Sequence, residues 1–245
     1  MSTRTRVFIL LVIMLLNAAV AGPARAQERP EAQRVEIATR DGVTLVADWY
    51  AATTVGDAAQ PAVILMHMLG SARGVWRTLL TPSLLDSGYA ALAVDLRGHG
   101  QSGGTRGDWA MTEDDILAWL DWLREQPGID PEGISLVGGS LGANLALRVM
   151  AADERIVTAV SLSPYVEVRG MTTDDAMQAI GERPVYLVAA QGDRDPAESV
   201  RTLAGLATGD VQMRLYPGSV HGTGMLTVHR GLGPSIVAWL DEHNP

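Results

Sequence analysis

The sequence predicts a three-layer α/β fold, with helices on both faces of a mostly parallel sheet of about eight strands. Three observations carry this. Short apolar runs alternate with helical segments over about 180 residues. Most runs are continuously apolar and bounded by turn residues, as strands covered on both faces require. A chain of 245 residues, 47% hydrophobic and 19% charged, can bury one core of good size but not two full domains.

The elements follow in order. Arg34–Thr39 and Val43–Tyr50 alternate around Asp41-Gly42 and predict an antiparallel hairpin. Ala62–Met66, opening after Pro61, and Tyr89–Val94 predict buried strands. Between them Val75 to Asp86 is helical in pattern, with Pro82 expected to break or kink it. Glu113–Gln126 sets Ile116, Leu117, Leu120 and Leu123 on one face, with Thr112 and Asp115 spaced as a capping box. Ile134–Val137, Val157–Leu162, Val185–Ala190 and Val211–Tyr216 complete the strands. Leu141–Ala152, Ala197–Leu206 and Pro234–His243 complete the helices, the last with proline in its first turn. Tyr165 to Arg183 leaves room for one short helix rather than a cap domain, and its Met171, Met177 and Ile180 fit core better than substrate wall.

Residues 1–26 read as a secretory leader. Arg4 and Arg6 precede the uncharged stretch Val7 to Gly22, and Ala24-Arg25-Ala26 sets cleavage before Gln27. The expected protein is exported, periplasmic or secreted, with no stable membrane association once cleaved. The alternative is an uncleaved anchor, but 16 uncharged residues fall short of the ~20 a span needs. Residues 27–33 read as a solvated lead-in, and 34–245 as one domain.

Composition removes several kinds of chemistry. Without cysteine there is no thiol catalysis, iron–sulfur cluster, cysteine zinc site or disulfide. All 19 basic residues are arginine, which excludes a Schiff-base lysine and the lysine of a phosphate-binding loop. Removing Arg4, Arg6 and Arg25 with the leader takes the formal charge from −9 to about −12, which disfavours nucleic acid and anionic lipid as partners. No His-Glu-x-x-His, calcium loop or dinucleotide-binding glycine turn is present, so no metal or organic cofactor is expected. The one Phe, Phe8, lies in the leader, so aliphatics, Met, Tyr and six Trp must fill the core.

The chemistry concentrates at Gly138-Gly139-Ser140-Leu141-Gly142, between an apolar strand and a helix. A nucleophile on such a sharp turn needs small residues two before and two after it, because the backbone doubles back there. The helix N-terminus then favours developing negative charge. Ser140 is the candidate nucleophile. Its base should follow in a loop at the carboxyl end of a strand. Of His221, His229 and His243, only His221 occupies such a loop, Pro217 to Gly222; the other two read as surface histidines. The orienting acid falls in Gln191-Gly192-Asp193-Arg194-Asp195-Pro196, where position alone does not separate Asp193 from Asp195.

Over Arg34 to Pro245 these residues resemble the α/β-hydrolase superfamily, in its small, nearly lidless members of dienelactone-hydrolase-like size. Ala93 to Ser102, Leu162-Ser163-Pro164 and the Asp and His loops are similar to that superfamily's segments. The resemblance implies the fold and a Ser-His-Asp triad. Its G-x-x-D phrase, matched by Gly192 to Asp195, favours Asp195, with Asp193 as alternate. It also implies an oxyanion hole from the N–H groups of Leu141 and Leu69, with Met68 as alternate. Here the sequence departs from the superfamily: His67 is followed by Met68 where glycine is usual. His67 and His99 read as loop-holding residues, and Asp95 with Arg97 as a structural pair.

The expected activity is cleavage of small carboxylic esters through an acyl-enzyme. A thioesterase, lactonase or peptidase would use the same triad. A catalytically silent binding protein on the same fold is the rival from another class.

Overall fold

The computed structural model describes residues 31–51 and 59–244. The expected leader, and residues 27–30 of the lead-in, lie outside the described residues.

β1 (Gln33–Ala38) and β2 (Thr44–Tyr50) form the hairpin, β1 beginning and ending one residue earlier than expected and β2 beginning one residue later. Ala32 already packs against the core, so the fold absorbs the end of the lead-in. β2 runs antiparallel to β4 (Ala90–Val94), and β4 pairs in parallel with β3 (Gln60–Met66). Next come β5 (Ile129–Gly139) and β6 (Ile156–Leu162), both parallel to their neighbours. After a small antiparallel ribbon of β7 (Glu167–Val168) and β8 (Met171–Thr172), β9 (Val185–Ala190) and β10 (Val211–Tyr216) finish the sheet. The eight strands lie in the order β1-β2-β4-β3-β5-β6-β9-β10.

The sheet separates two cores, which is why its central strands read as unbroken apolar runs. Ala62, Ile64 and Met66 of β3 face one core, with Trp119, Leu145 and Leu203; Val63 and Leu65 face the other, with Trp76, Ile236 and Trp239. The first face is covered by α3 (Trp109–Arg124), α4 (Leu141–Ala152), α5 (Asp174–Ile180) and α6 (Arg194–Leu206). The second is covered by α1 (Trp76–Leu79), α2 (Thr81–Asp86), α7 (Met225–Val228) and α8 (Leu232–His243). Met171, Met177 and Ile180 are buried in the first core, so the short insert is a packing element.

The break expected near Pro82 is present. Leu80, at φ −133°, separates α1 from α2, and Pro82 occupies the first turn of α2, where its missing N–H costs nothing. The capping box is not. α3 begins at Trp109 because Asp108 caps it, accepting the Met111 N–H at 3.2 Å. Thr112 Oγ1 instead donates to the Asp108 carbonyl at 2.7 Å, and buried Asp115 accepts from Arg97 Nε at 2.8 Å. A buried carboxylate needs a cation more than a helix needs a second cap. The pairing of Asp95 with Arg97 is likewise corrected. Arg97 bonds Asp115 and Asp41, whereas Asp95 accepts the Arg73 and Gln101 N–H groups, each at 2.7 Å.

Candidate active site

β5 runs straight into the turn at Ser140, which takes φ 52° and ψ −111°. A side chain prefers to avoid that region, at a cost of roughly 1–3 kcal/mol, and tight packing must hold it there. The two glycines allow that packing. A Cβ on Gly138 would lie 2.0 Å from the Gly142 carbonyl oxygen, and one on Gly142 would lie 2.2 Å from that of Met66. The Ser140 N–H donates to the Leu162 carbonyl at 2.8 Å, fixing the turn to the next strand. α4 starts at Leu141, and the Ala143 and Asn144 N–H groups donate to the Ser140 carbonyl at 2.9 and 3.1 Å, so the serine stands at the N-terminal, positive end of the helix dipole.

His221 stands in the loop after β10. Its Nδ1 is 2.7 Å from Asp193 Oδ2, and the side chains are 33% and 16% exposed, so the acid is shielded while the imidazole stays accessible. A carboxylate there holds the Nδ1–H tautomer and leaves Nε2 as proton acceptor. The next residue, Gly222, sits against the serine: a Cβ on it would be 3.7 Å from the Ser140 Cβ and N. No hydrogen bond joins Ser140 Oγ to His221 among the described residues; such contacts often tighten only with substrate bound.

The partner of His221 is Asp193, which corrects the preference for Asp195. The two carboxyl-end loops are zipped together by Gln191 N–H to Tyr216 O at 2.8 Å and Gly192 N–H to Gly218 O at 2.7 Å, which brings residue 193 opposite residue 221. α6 then begins at Arg194 and carries Asp195 out to solvent in its first turn. His229 and His243 are not plain surface residues either. His229 stacks on Tyr216 at 4.6 Å, and His243 packs on Trp239 at 3.9 Å while meeting Asp210 at 3.1 Å.

The loop after β3 carries the other expected groups. His67 is fully buried, and burial pushes its pKa down to about 4. Neutral, its Nε2 accepts the Leu96 N–H at 3.1 Å and its Nδ1–H donates to the Met68 carbonyl at 2.8 Å. The Ser71 N–H also donates to that carbonyl, at 3.0 Å. A trans peptide directs its N–H opposite its C=O, so these bonds turn the Leu69 N–H away from His67. Met68 Sδ reaches across to Thr223 Oγ1, 3.7 Å away, and would meet a Cβ on Gly222 at 3.1 Å. The methionine thus joins this loop to the histidine loop. His99, its Nδ1 2.9 Å from the Arg97 carbonyl, packs edge-on against His67, so both act as loop holders.

Sequence reasoning missed Asn144, Tyr165 and Thr223, and it noted Ser163 only as part of Leu162-Ser163-Pro164. Single polar residues scattered over α4, the segment after β6 and the turn after His221 carry no local pattern. Among the described residues no group of three or more His, Asp or Glu side chains could hold a metal ion.

Residues 61–218 match the model of a family described as alpha/beta hydrolase fold. An Aspergillus aculeatus protein named thiohydrolase aneE is 31% identical over 170 residues, covering 66% of this chain and 52% of that protein. An uncharacterized 31.7 kDa Escherichia coli protein is 30% identical over 134 residues, covering 54% of this chain and 46% of that one. The chain therefore spans about half the length of these curated relatives. The Pyrococcus furiosus esterase Pf2001 superposes with a TM-score of 0.71 at 22% identity, over 88% of this chain and 91% of that one, a likeness of fold.

Proposed function

The chain belongs to the alpha/beta hydrolase fold family, and we propose that it is a serine hydrolase of small carboxylic esters acting through Ser140, His221 and Asp193. The observation that carries this is the His221–Asp193 contact at 2.7 Å, in a loop whose next residue packs on the strained serine.

In this reading Ser140 Oγ attacks the acyl carbon while His221 Nε2 takes its proton. The N–H groups of Leu141 and Leu69 receive the oxyanion, each able to contribute about 3–4 kcal/mol to the transition state. The imidazolium, stabilised by Asp193, hands the proton to the departing alkoxide. Water then attacks the acyl-enzyme, His221 takes a proton from it, and that proton returns to Ser140. The short insert, packed into the core, supports small or exposed acyl groups over long buried chains.

Similarity to a protein named a thiohydrolase supports a second reading, a thioesterase on the same residues. Matched acetyl and butyryl esters and thioesters, assayed against wild type and Ser140→Ala, separate the two. Ester turnover lost in the variant supports the first reading, thioester preference supports the second, and full turnover by the variant contradicts both.

We also propose that residues 1–26 export the chain, supported by their basic start, uncharged stretch and Ala-x-Ala end. A secreted or periplasmic product with Gln27 at its N-terminus is expected; intact residues 1–26 on the cell-associated protein would contradict it.

A further inference from the structure

We infer that Ser163 and Tyr165 are positioning residues that set the placement of His221 relative to Ser140, an inference that rests on the serine-hydrolase reading above. Both belong to Leu162-Ser163-Pro164-Tyr165, which leaves the end of β6 and touches both the Ser140 turn and the His221 loop.

The segment is fastened at the serine end twice. The Leu162 carbonyl accepts the Ser140 N–H at 2.8 Å. One turn into α4, the fully buried Asn144 amide grips Tyr165 from both sides, accepting its N–H at 2.9 Å and donating to its carbonyl at 3.0 Å. Thr173 Oγ1 adds a third bond, to that same carbonyl, at 2.7 Å. Tyr165 is thereby locked to the helix that begins at the nucleophile.

At the histidine end the same segment makes two contacts. Ser163 is fully buried and takes φ 56°, which favours glycine, yet a serine stands there. Its N–H donates to the Val188 carbonyl at 2.7 Å, while its Oγ accepts the Gly222 N–H at 2.9 Å. Gly222 is buried and follows His221 directly, so the serine hydroxyl satisfies an N–H that would otherwise be left unpaired. The Tyr165 ring lies 5.9 Å from the imidazole, at 50° to it. Asp193 holds one edge of His221, Tyr165 borders the ring, and Ser163 holds the peptide after it.

With no direct Ser140–His221 bond among the described residues, this bridge defines their separation before substrate arrives. Displacing a catalytic group by about 1 Å can cost about 100-fold in rate.

The experiment compares Ser163→Ala, Ser163→Gly and Tyr165→Ala with wild type and Tyr165→Phe. It measures kcat and KM on a short-chain nitrophenyl ester, the pH profile of kcat/KM, the rate of fluorophosphonate labelling and the melting temperature. Ser163→Gly relieves the backbone conformation but removes Oγ, so it separates the hydroxyl's role from simple folding. The inference expects both Ser163 variants to lose kcat and labelling rate by about 10- to 100-fold, with KM within about twofold. It expects Tyr165→Ala to shift the lower inflection of the pH profile, and Tyr165→Phe, which keeps the ring, to behave as wild type. A folded Ser163→Gly with wild-type kcat and labelling overturns the inference and leaves the serine-hydrolase reading standing. An unlabelled wild-type enzyme overturns both.

Discussion

Replacing Asp193 by Asn should nearly abolish turnover while leaving the fold intact. The carboxylate accepts the Nδ1–H of His221 at 2.7 Å, and an amide keeps that volume. Its NH₂ group, turned to Nδ1, would hold the ring as the Nε2–H tautomer, with no lone pair for the Ser140 proton. A wrongly held tautomer costs on the order of 10³- to 10⁴-fold in kcat, or about 4–5.5 kcal/mol of transition-state stabilisation. Asp195→Asn is the control, two residues further on in the first turn of α6. It is exposed and bonds no histidine, so it should keep kcat within about twofold and lose at most about 0.3–1 kcal/mol at the start of α6. Initial rates on a short-chain ester, with melting curves for each protein, make the comparison. A collapse in Asp195→Asn alongside near-normal Asp193→Asn would refute the reasoning.

Three further predictions concern the frame of the site. Gly142→Ala puts a Cβ 2.2 Å from the Met66 carbonyl oxygen, and neither backbone can yield, so a stability loss of about 3 kcal/mol is expected in urea unfolding; a loss under 0.5 kcal/mol would contradict it. Asp115→Ala deprives Arg97, only 5% exposed, of its buried carboxylate and leaves it Asp41, so about 3 kcal/mol should be lost, and an unchanged midpoint would count against the pair. His67 titrates near 4 when folded against about 6.5 unfolded, so the unfolded chain binds the extra proton between those values. Its stabilisation is present above pH 6.5 and falls by about 3 kcal/mol as pH drops through 4, a decline that His67→Gln, able to make both hydrogen bonds without titrating, should lack.

The sharp turn at Ser140 was legible because its constraint is local: Gly138 and Gly142 flank the serine in sequence, and each faces backbone closer than a Cβ permits. The sheet was legible for a similar reason. Strands such as Ala62–Met66 pack apolar side chains into both cores, which leaves unbroken apolar runs. The carboxylate that meets His221 was not legible, because what brings Asp193 there is the zipping of residues 191–192 against residues 216–218, a contact between distant loops. The start of α6 at Arg194 then turns Asp195 away, overriding the phrase that favoured it. The same holds for α3, whose apparent cap at Thr112 gave way to Asp108 once Asp115 was drawn to Arg97, 18 residues before it. Nor did Ser163 announce itself: its partner Gly222 lies 59 residues later.

Fluorophosphonate labelling of the purified chain, read by intact mass and peptide mapping, tests the central claim most directly. One adduct per chain on Ser140, lost in His221→Ala and strongly slowed in Asp193→Asn, is the predicted result. A folded protein that takes up no label, or carries it on another serine, would contradict the account.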